Sequence, residues 1–227
     1  MKVIVFPFAG GGKYSFAYLK EMLPEFIKFT VLEYPGRGMR IDDPLLYTLE
    51  EIVKDAFEQV KKRIRNEDYV IYGHSMGGLV GFLVCREIEA AGFRKPLKLV
   101  VTGCNPPTVR RQRRIAHLPA AQFWEEVMAL GGIPQELKDE LMLMEFFEPV
   151  LRADFKSIEE FRYENKAPIS IPIDVFYGSD EGINEKEVNE WKHLSYDEVC
   201  VEEVAGDHFF IYRHQTYFSR YFVGLLM

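Results

Sequence analysis

Three side chains, far apart in the chain, are of the types needed for nucleophilic acyl transfer. Ser75 stands in Gly73-His74-Ser75-Met76-Gly77, a carboxylate follows at Asp180 or Glu181, and His208 comes last. A serine hydroxyl is a weak nucleophile unless a base takes its proton as it attacks. An imidazole can do that and hand the proton to the leaving group, provided a carboxylate holds its tautomer and stabilises the imidazolium. Of five histidines, His208 is the best placed, in a loop after an apolar run. His117 lies in a helical stretch, His193 and His214 lie on expected helices, and His74 should point away from its neighbour Ser75 in a tight turn. The acid stays open between two neighbours. Asp is the commoner residue in this role, which slightly favours Asp180. Glu181 stands three residues beyond Gly178, where its strand ends, and such acids often fall at that position. Asp207 cannot easily reach round to the ring of His208 beside it, and reads as a loop-capping residue.

These groups work only if the chain carries them to one place. Tyr69-Val70-Ile71-Tyr72 is an apolar run that enters Gly-x-Ser-x-Gly, and Leu79-Val80-Gly81-Phe82-Leu83-Val84 follows without a proline. That reads as strand, tight turn and helix, with Gly73 and Gly77 kept small where the two backbones nearly touch. The turn points Ser75 out at the carboxyl end of a sheet, over a helix N-terminus with free N–H groups and partial positive charge. It resembles the nucleophile elbow of α/β-hydrolases. A second glycine-rich loop, Pro7-Phe8-Ala9-Gly10-Gly11-Gly12, follows the first strand. A phosphate-binding P-loop would need Gly at Pro7 and Ser or Thr at Tyr14, and a dinucleotide fingerprint would need Gly at Ser15. The better reading is an oxyanion hole: the N–H of Met76, just after the nucleophile, and one from this loop, taken as Ala9 with Phe8 as the neighbouring alternative.

Strands are expected at 2–6, 29–34, 69–72, 97–102, 171–177 and 198–204. Helices alternate with them at 14–22, 48–65, after Ser75, at 185–193 and at the end through 226. Thr48-Leu49-Glu50-Glu51 reads as a capping box. The alternation gives an α/β class: an α/β-hydrolase fold with a mostly parallel central sheet flanked by helices, and ligands at the carboxyl ends of the strands. From 108 to 168 the alternation stops, with helices expected at 120–129, 135–144 and around 152–155. This stretch reads as a helical lid inserted into a core of 1–107 and 169–227. Its apolar residues Trp124, Val127, Met128, Leu130, Leu141, Met144, Phe146 and Phe147 are expected both to pack together and to line an acyl channel.

The 227 residues suit one domain with an insertion. A net charge of −7 argues against general nucleic-acid binding. The three cysteines, Cys85, Cys104 and Cys200, lack metal-site spacing and read as buried thiols of a reducing compartment. The apolar N-terminal run is too short for a secretory signal, and no stretch approaches the roughly 20 apolar residues of a membrane helix. The expectation is a cytoplasmic monomer, off the membrane, needing no metal and no cofactor.

Taken together, the motifs resemble the type II thioesterases of polyketide and non-ribosomal peptide synthesis over nearly the whole chain. The resemblance rests on Phe6-Pro7-Phe8-Ala9-Gly10-Gly11, Tyr34-Pro35-Gly36-Arg37 with Arg40, Gly73-His74-Ser75-Met76-Gly77 and Leu130-Gly131-Gly132-Ile133-Pro134. It continues with Leu151-Arg152-Ala153-Asp154-Phe155, Trp191 and Gly206-Asp207-His208-Phe209-Phe210. Thioesterases that release fatty-acid chains share these motifs. The resemblance implies catalytic Ser75 and His208, oxyanion donors at Met76 and Ala9, and an Asp where this chain has Glu181, which leans against Asp180. It further implies hydrolysis of acyl thioesters on the phosphopantetheine arm of acyl or peptidyl carrier protein domains, clearing stalled or aberrant acyl groups. Arg110-Arg111-Gln112-Arg113-Arg114, with Arg94, Lys95 and Lys98 nearby in sequence, is a basic run in an acidic chain. Carrier proteins are typically acidic, so the run is a candidate docking surface. The alternatives are a general small-molecule esterase or an acyltransferase with the same triad, and an idle binding protein.

Overall fold

The structure is a computed structural model that describes residues 2–64, 67–110, 113–132, 140–164 and 166–225. Six strands form one sheet: β1 (Lys2–Phe6), β2 (Lys28–Val31), β3 (Tyr69–His74), β4 (Lys98–Thr102), β5 (Ile173–Gly178) and β6 (Val199–Val204). Their order is β2-β1-β3-β4-β5-β6, and every pairing is parallel. Each crossover therefore carries the chain over a face of the sheet. Helices α1 (Ala17–Met22), α2 (Leu49–Lys61) and α3 (Met76–Ala90) arise in the first crossovers. At the end of the chain, α6 (Glu185–Val188) precedes β6, and α7 (Phe210–Arg213) and α8 (Gln215–Gly224) follow it. Leu226, the expected end of the last helix, lies outside the described residues.

Alternation along each strand divides the core in two. Ile4, Phe6, Tyr69, Ile71, Leu99 and Val101 face α2 and α3, packing with Ile52, Val60, Val80 and Val84. Val3, Val5, Val70, Tyr72 and Val100 face the other way, toward Leu19, Phe218 and Phe222 of α1 and α8. The period of 2 in side-chain direction lets one buried strand feed two cores. The capping box forms as expected: Thr48 Oγ1 accepts from Glu51 N, and Glu51 Oε2 accepts from Thr48 N.

Between β4 and β5 the described residues hold two helices, α4 (Ala120–Ala129) and α5 (Leu141–Glu160), and no strand. The first half of the expected helix at 135–144 falls on residues outside the described set. Its last residues and the 152–155 segment belong to the one long α5, which carries Pro149 in its interior. Ile115, Phe123, Trp124, Val127, Leu151 and Phe155 form a third, smaller core there. The cysteines divide by place: Cys85 is buried and Cys104 partly so, but Cys200 is exposed. Cys200 lies on β6, the edge of the sheet, so the expectation of three buried thiols fails there.

Candidate active site

The elbow forms where the glycines demand it. A Cβ on Gly73 would lie 2.1 Å from the carbonyl oxygen of Gly77, and one on Gly77 would lie 1.9 Å from that of Phe6. The start of α3 is therefore pressed against the ends of β3 and β1. Ser75, between them, has φ 55°, the one positive φ outside glycine among the described residues. Such a backbone costs energy and persists only where its surroundings over-determine it. Here Ser75 N donates to Thr102 O of β4, and Ser75 O accepts from Gly78 N.

The carboxyl ends of β3, β5 and β6 bring the other partners to this serine. His208 Nε2 lies 3.0 Å from Ser75 Oγ, and His208 Nδ1 lies 2.7 Å from Glu181 Oε2. The other Glu181 oxygen, Oε1, accepts from Gly178 N at 2.7 Å, and the side chain is 1% exposed. Asp180 is not part of this chain of bonds. Its amide is tied to Gly206 O and its exposed carboxylate accepts from Ser179 Oγ. The preference for Asp180 is thus overturned: the turn after β5 sends that side chain to solvent. Glu181 comes back over the strand end, and its longer side chain spans both Gly178 N and the imidazole. Asp207 caps its loop as expected, accepting from Phe209 N and Arg213.

His74 is fully buried, with Nδ1 3.0 Å from Thr102 Oγ1. Its ring lies 5.0 Å from that of His208, with Phe8 and Phe209 also against it. Burial, and next the charge of His208, push its pKa well below the ordinary histidine value, so it stays neutral beneath the His208 imidazole. Met76, the residue after Ser75 in the elbow, is the first of α3, where a helix amide has no intrahelical acceptor. Ala9 sits in a turn closed by Gly11 N donating to Phe8 O. That turn follows β1, whose last carbonyls touch the start of α3.

A cavity of about 410 Å³ opens over Ser75 and His208. Its apolar wall includes Leu79, Pro106, Val109, Leu130, Ile158 and Ile183. Of the residues expected to line an acyl channel, Leu130 does so. Trp124 and Val127 are spent in the small core, and Leu141 and Phe146 face solvent. Arg110 and Arg162 also border the cavity. Four other members of the expected basic patch are in ion pairs: Arg94 with Asp68, Lys95 with Glu89, Lys98 with Asp174 and Arg113 with Glu126, while Arg114 is exposed. Arg111 lies outside the described residues. Trp191, singled out in sequence without a role, is fully buried and donates to Cys104 O, fixing the loop that floors the cavity. Among the described residues no group of three or more His, Cys, Asp or Glu could hold a metal ion, and no helix is long and apolar enough to cross a membrane.

The chain matches the thioesterase domain family over residues 1–222. It is 31% identical, over 214 residues, to the gramicidin S biosynthesis protein GrsT of Aneurinibacillus migulanus, covering 93% of this chain and 83% of that protein. Among solved structures, ClbQ from the colibactin NRPS/PKS pathway superposes with a TM-score of 0.92 at 28% identity, covering 99% and 96% of the two chains. YbtT, a type II thioesterase from the yersiniabactin NRPS/PKS pathway, does so with a TM-score of 0.85 at 25% identity, covering 96% and 90%. Agreement that runs from the first strand into the last helix, in sequence and in backbone alike, establishes that this chain belongs to the thioesterase family.

Proposed function

We propose that this protein is a trans-acting serine thioesterase that hydrolyses acyl groups from the phosphopantetheine arm of carrier proteins in polyketide or non-ribosomal peptide synthesis. The observation that carries the reading is the hydrogen-bonded line Ser75–His208–Glu181 at the strand ends, under an apolar-walled cavity. In this reading Ser75 Oγ attacks the thioester carbonyl while His208 Nε2 takes its proton. Glu181 holds Nδ1 and stabilises the imidazolium. The amides of Met76 and Ala9 receive the developing oxyanion. Collapse of the tetrahedral intermediate breaks the C–S bond, and His208 returns the proton to the departing thiolate. Water then attacks the acyl-Ser75 ester with His208 as base, the acyl–Oγ bond breaks, His208 returns the proton to Ser75 Oγ, and the carboxylic acid leaves.

No step needs a metal or a redox cofactor, so none is assigned. The pathway reading draws on the relatives, one named for gramicidin S biosynthesis and another for a colibactin NRPS/PKS pathway. A monomer working in the cytoplasm is the matching setting. The test compares hydrolysis of one acyl group on a carrier protein, on a simple thiol and on a simple alcohol, with Ser75→Ala as control. Preference for the carrier-bound thioester, abolished in the variant, supports the proposal. Equal or better turnover of the oxygen ester would make the protein a general esterase.

A further inference from the structure

Two sequence motifs, Tyr34-Pro35-Gly36-Arg37 and Leu151-Arg152-Ala153-Asp154-Phe155, have no part in the mechanism above, yet they converge on the loop that carries Ala9. Tyr34 Oη donates to Pro7 O at 3.3 Å, ahead of Ala9. Beyond Ala9, Gly10 N donates to Asp154 Oδ2 at 2.7 Å. Arg37 Nη1 reaches both Gly11 O, at 3.4 Å, and Asp154 Oδ2, at 2.7 Å, while Nη2 meets Asp154 Oδ1 at 2.8 Å. The loop is thus tied on both sides of Ala9, and the Ala9 amide takes no part in these bonds. Gly10 has φ +75°, and a Cβ there would lie 2.5 Å from Leu151 Cδ2, so the loop lies directly against α5.

Both charges are buried, Arg37 to 7% exposure and Asp154 to 1%. A buried ion pair gains little net stability, because desolvation offsets most of the attraction. Its strength is directional: a bidentate guanidinium–carboxylate pair fixes two planes relative to each other, and the carboxylate makes a charge-assisted bond to Gly10 N. We propose that Arg37 and Asp154 are positioning residues that hold the 7–12 loop with the Ala9 amide aimed at the oxyanion. The inference rests on the reading of Ser75 as nucleophile and Ala9 as oxyanion donor. It gives the inserted helix α5 a direct hand in transition-state stabilisation, through a residue 144 positions from the loop it holds.

The test uses Asp154→Asn and Arg37→Lys in the full chain. An amide at 154 turns an NH2 toward the donors of Arg37, and a lysine cannot bridge Asp154 and Gly11 O as a fork does. The readouts are kcat and KM on a small acyl thioester and a small oxygen ester, thermal stability, and affinity for two inhibitors. One inhibitor is an acyl trifluoromethyl ketone. Its carbonyl carbon bonds to Ser75 Oγ, the hydroxyl proton passes to His208, and the carbonyl oxygen becomes an oxyanion. The other is an unreactive thioether of the same acyl group. Losing an aligned oxyanion donor predicts a fall in kcat of about 10- to 100-fold with KM nearly unchanged, a matching loss of ketone affinity, and unchanged thioether binding. Folded variants that keep wild-type kcat and ketone affinity would overturn the proposal, as would a rise in KM alone. If Asp154→Asn does not fold, Arg37→Lys and Tyr34→Phe decide by the same readouts. A wild-type protein inactive on both substrates would overturn the nucleophile reading, and this proposal with it.

Discussion

At the scale of single residues, the carboxylate that meets His208 is decided by one turn. Glu181 and Asp180 are neighbours, yet one is sealed against His208 and the other faces water. Glu181→Gln keeps the shape but lets the imidazole settle in the wrong tautomer, so kcat should fall by about 10³- to 10⁴-fold. Asp180→Asn should change kcat by less than about twofold, because an exposed side chain away from the reacting groups has little leverage. Steady-state kinetics on a small thioester reads both. His74 gives a second prediction, in stability. Its folded pKa is depressed by burial, so between that value and the unfolded value of about 6.5 the unfolded chain binds a proton that the native chain does not. The stability it contributes is complete above pH 6.5 and is lost as pH falls, by up to about 1.4 kcal/mol per pH unit. Urea unfolding between pH 7 and 5 should show this slope, and His74→Gln should remove its share.

At the scale of elements, the strand–turn–helix around Ser75 depends on atoms that are missing. Gly77→Ala places a methyl 1.9 Å from Phe6 O and 2.8 Å from Pro7 O, both rigid backbone. Relief would require α3 to move off β1, so the expected result is a protein destabilised by several kcal/mol, about 3 or more, or no soluble protein at all. Thr48→Ala removes the cap of α2 at the surface and should cost about 1 kcal/mol without changing kcat. Thermal unfolding beside the ester assay separates the two: loss of packing at the elbow against loss of a cap remote from it. The same close approach of α3 to β1 brings the 7–12 loop beside the elbow.

At the scale of the molecule, the segment between β4 and β5 meets the rest of the chain at the site itself. A Cβ on Gly132 would fall 2.4 Å from the ring of Phe209, the neighbour of His208. Asp154 ties α5 to Gly10 and Arg37. Leu130 and Ile158 complete the cavity wall. Charge adds a second relation. The chain is acidic overall, but Arg110 and Arg162 stand at the cavity over Ser75; on the carrier-protein reading proposed above, an acidic carrier would meet the protein there. Arg110→Glu should raise KM for a carrier-bound thioester several-fold, on the order of 5-fold, and leave KM for a small thioester unchanged. Equal effects on both substrates would remove Arg110 from docking and return it to the local structure of the cavity.

Local signals were sufficient for the parts whose physics is local. Gly73 and Gly77 around Ser75, the capping box at Thr48, and the alternation of apolar runs with helical periods announce an elbow and a parallel sheet, since each depends on near neighbours in the chain. The order Ser75, acid, His208 told which side chains meet, because a parallel sheet collects its loops at one edge. Three things depended on contacts between distant segments. The choice of Glu181 over Asp180 follows from how the turn after β5 seats under the loop at Gly206. The cavity wall belongs to Ile158 and Ile183 and not to Trp124 or Val127, because the inserted helices must first bury a core of their own. Arg37 and Asp154 each stand in a recognisable motif, but nothing in the sequence says that the two pair across more than a hundred residues. Spacing records which residues share a strand or a helix turn, whereas the meeting of α5 with the loop after β1 is fixed by three-dimensional packing.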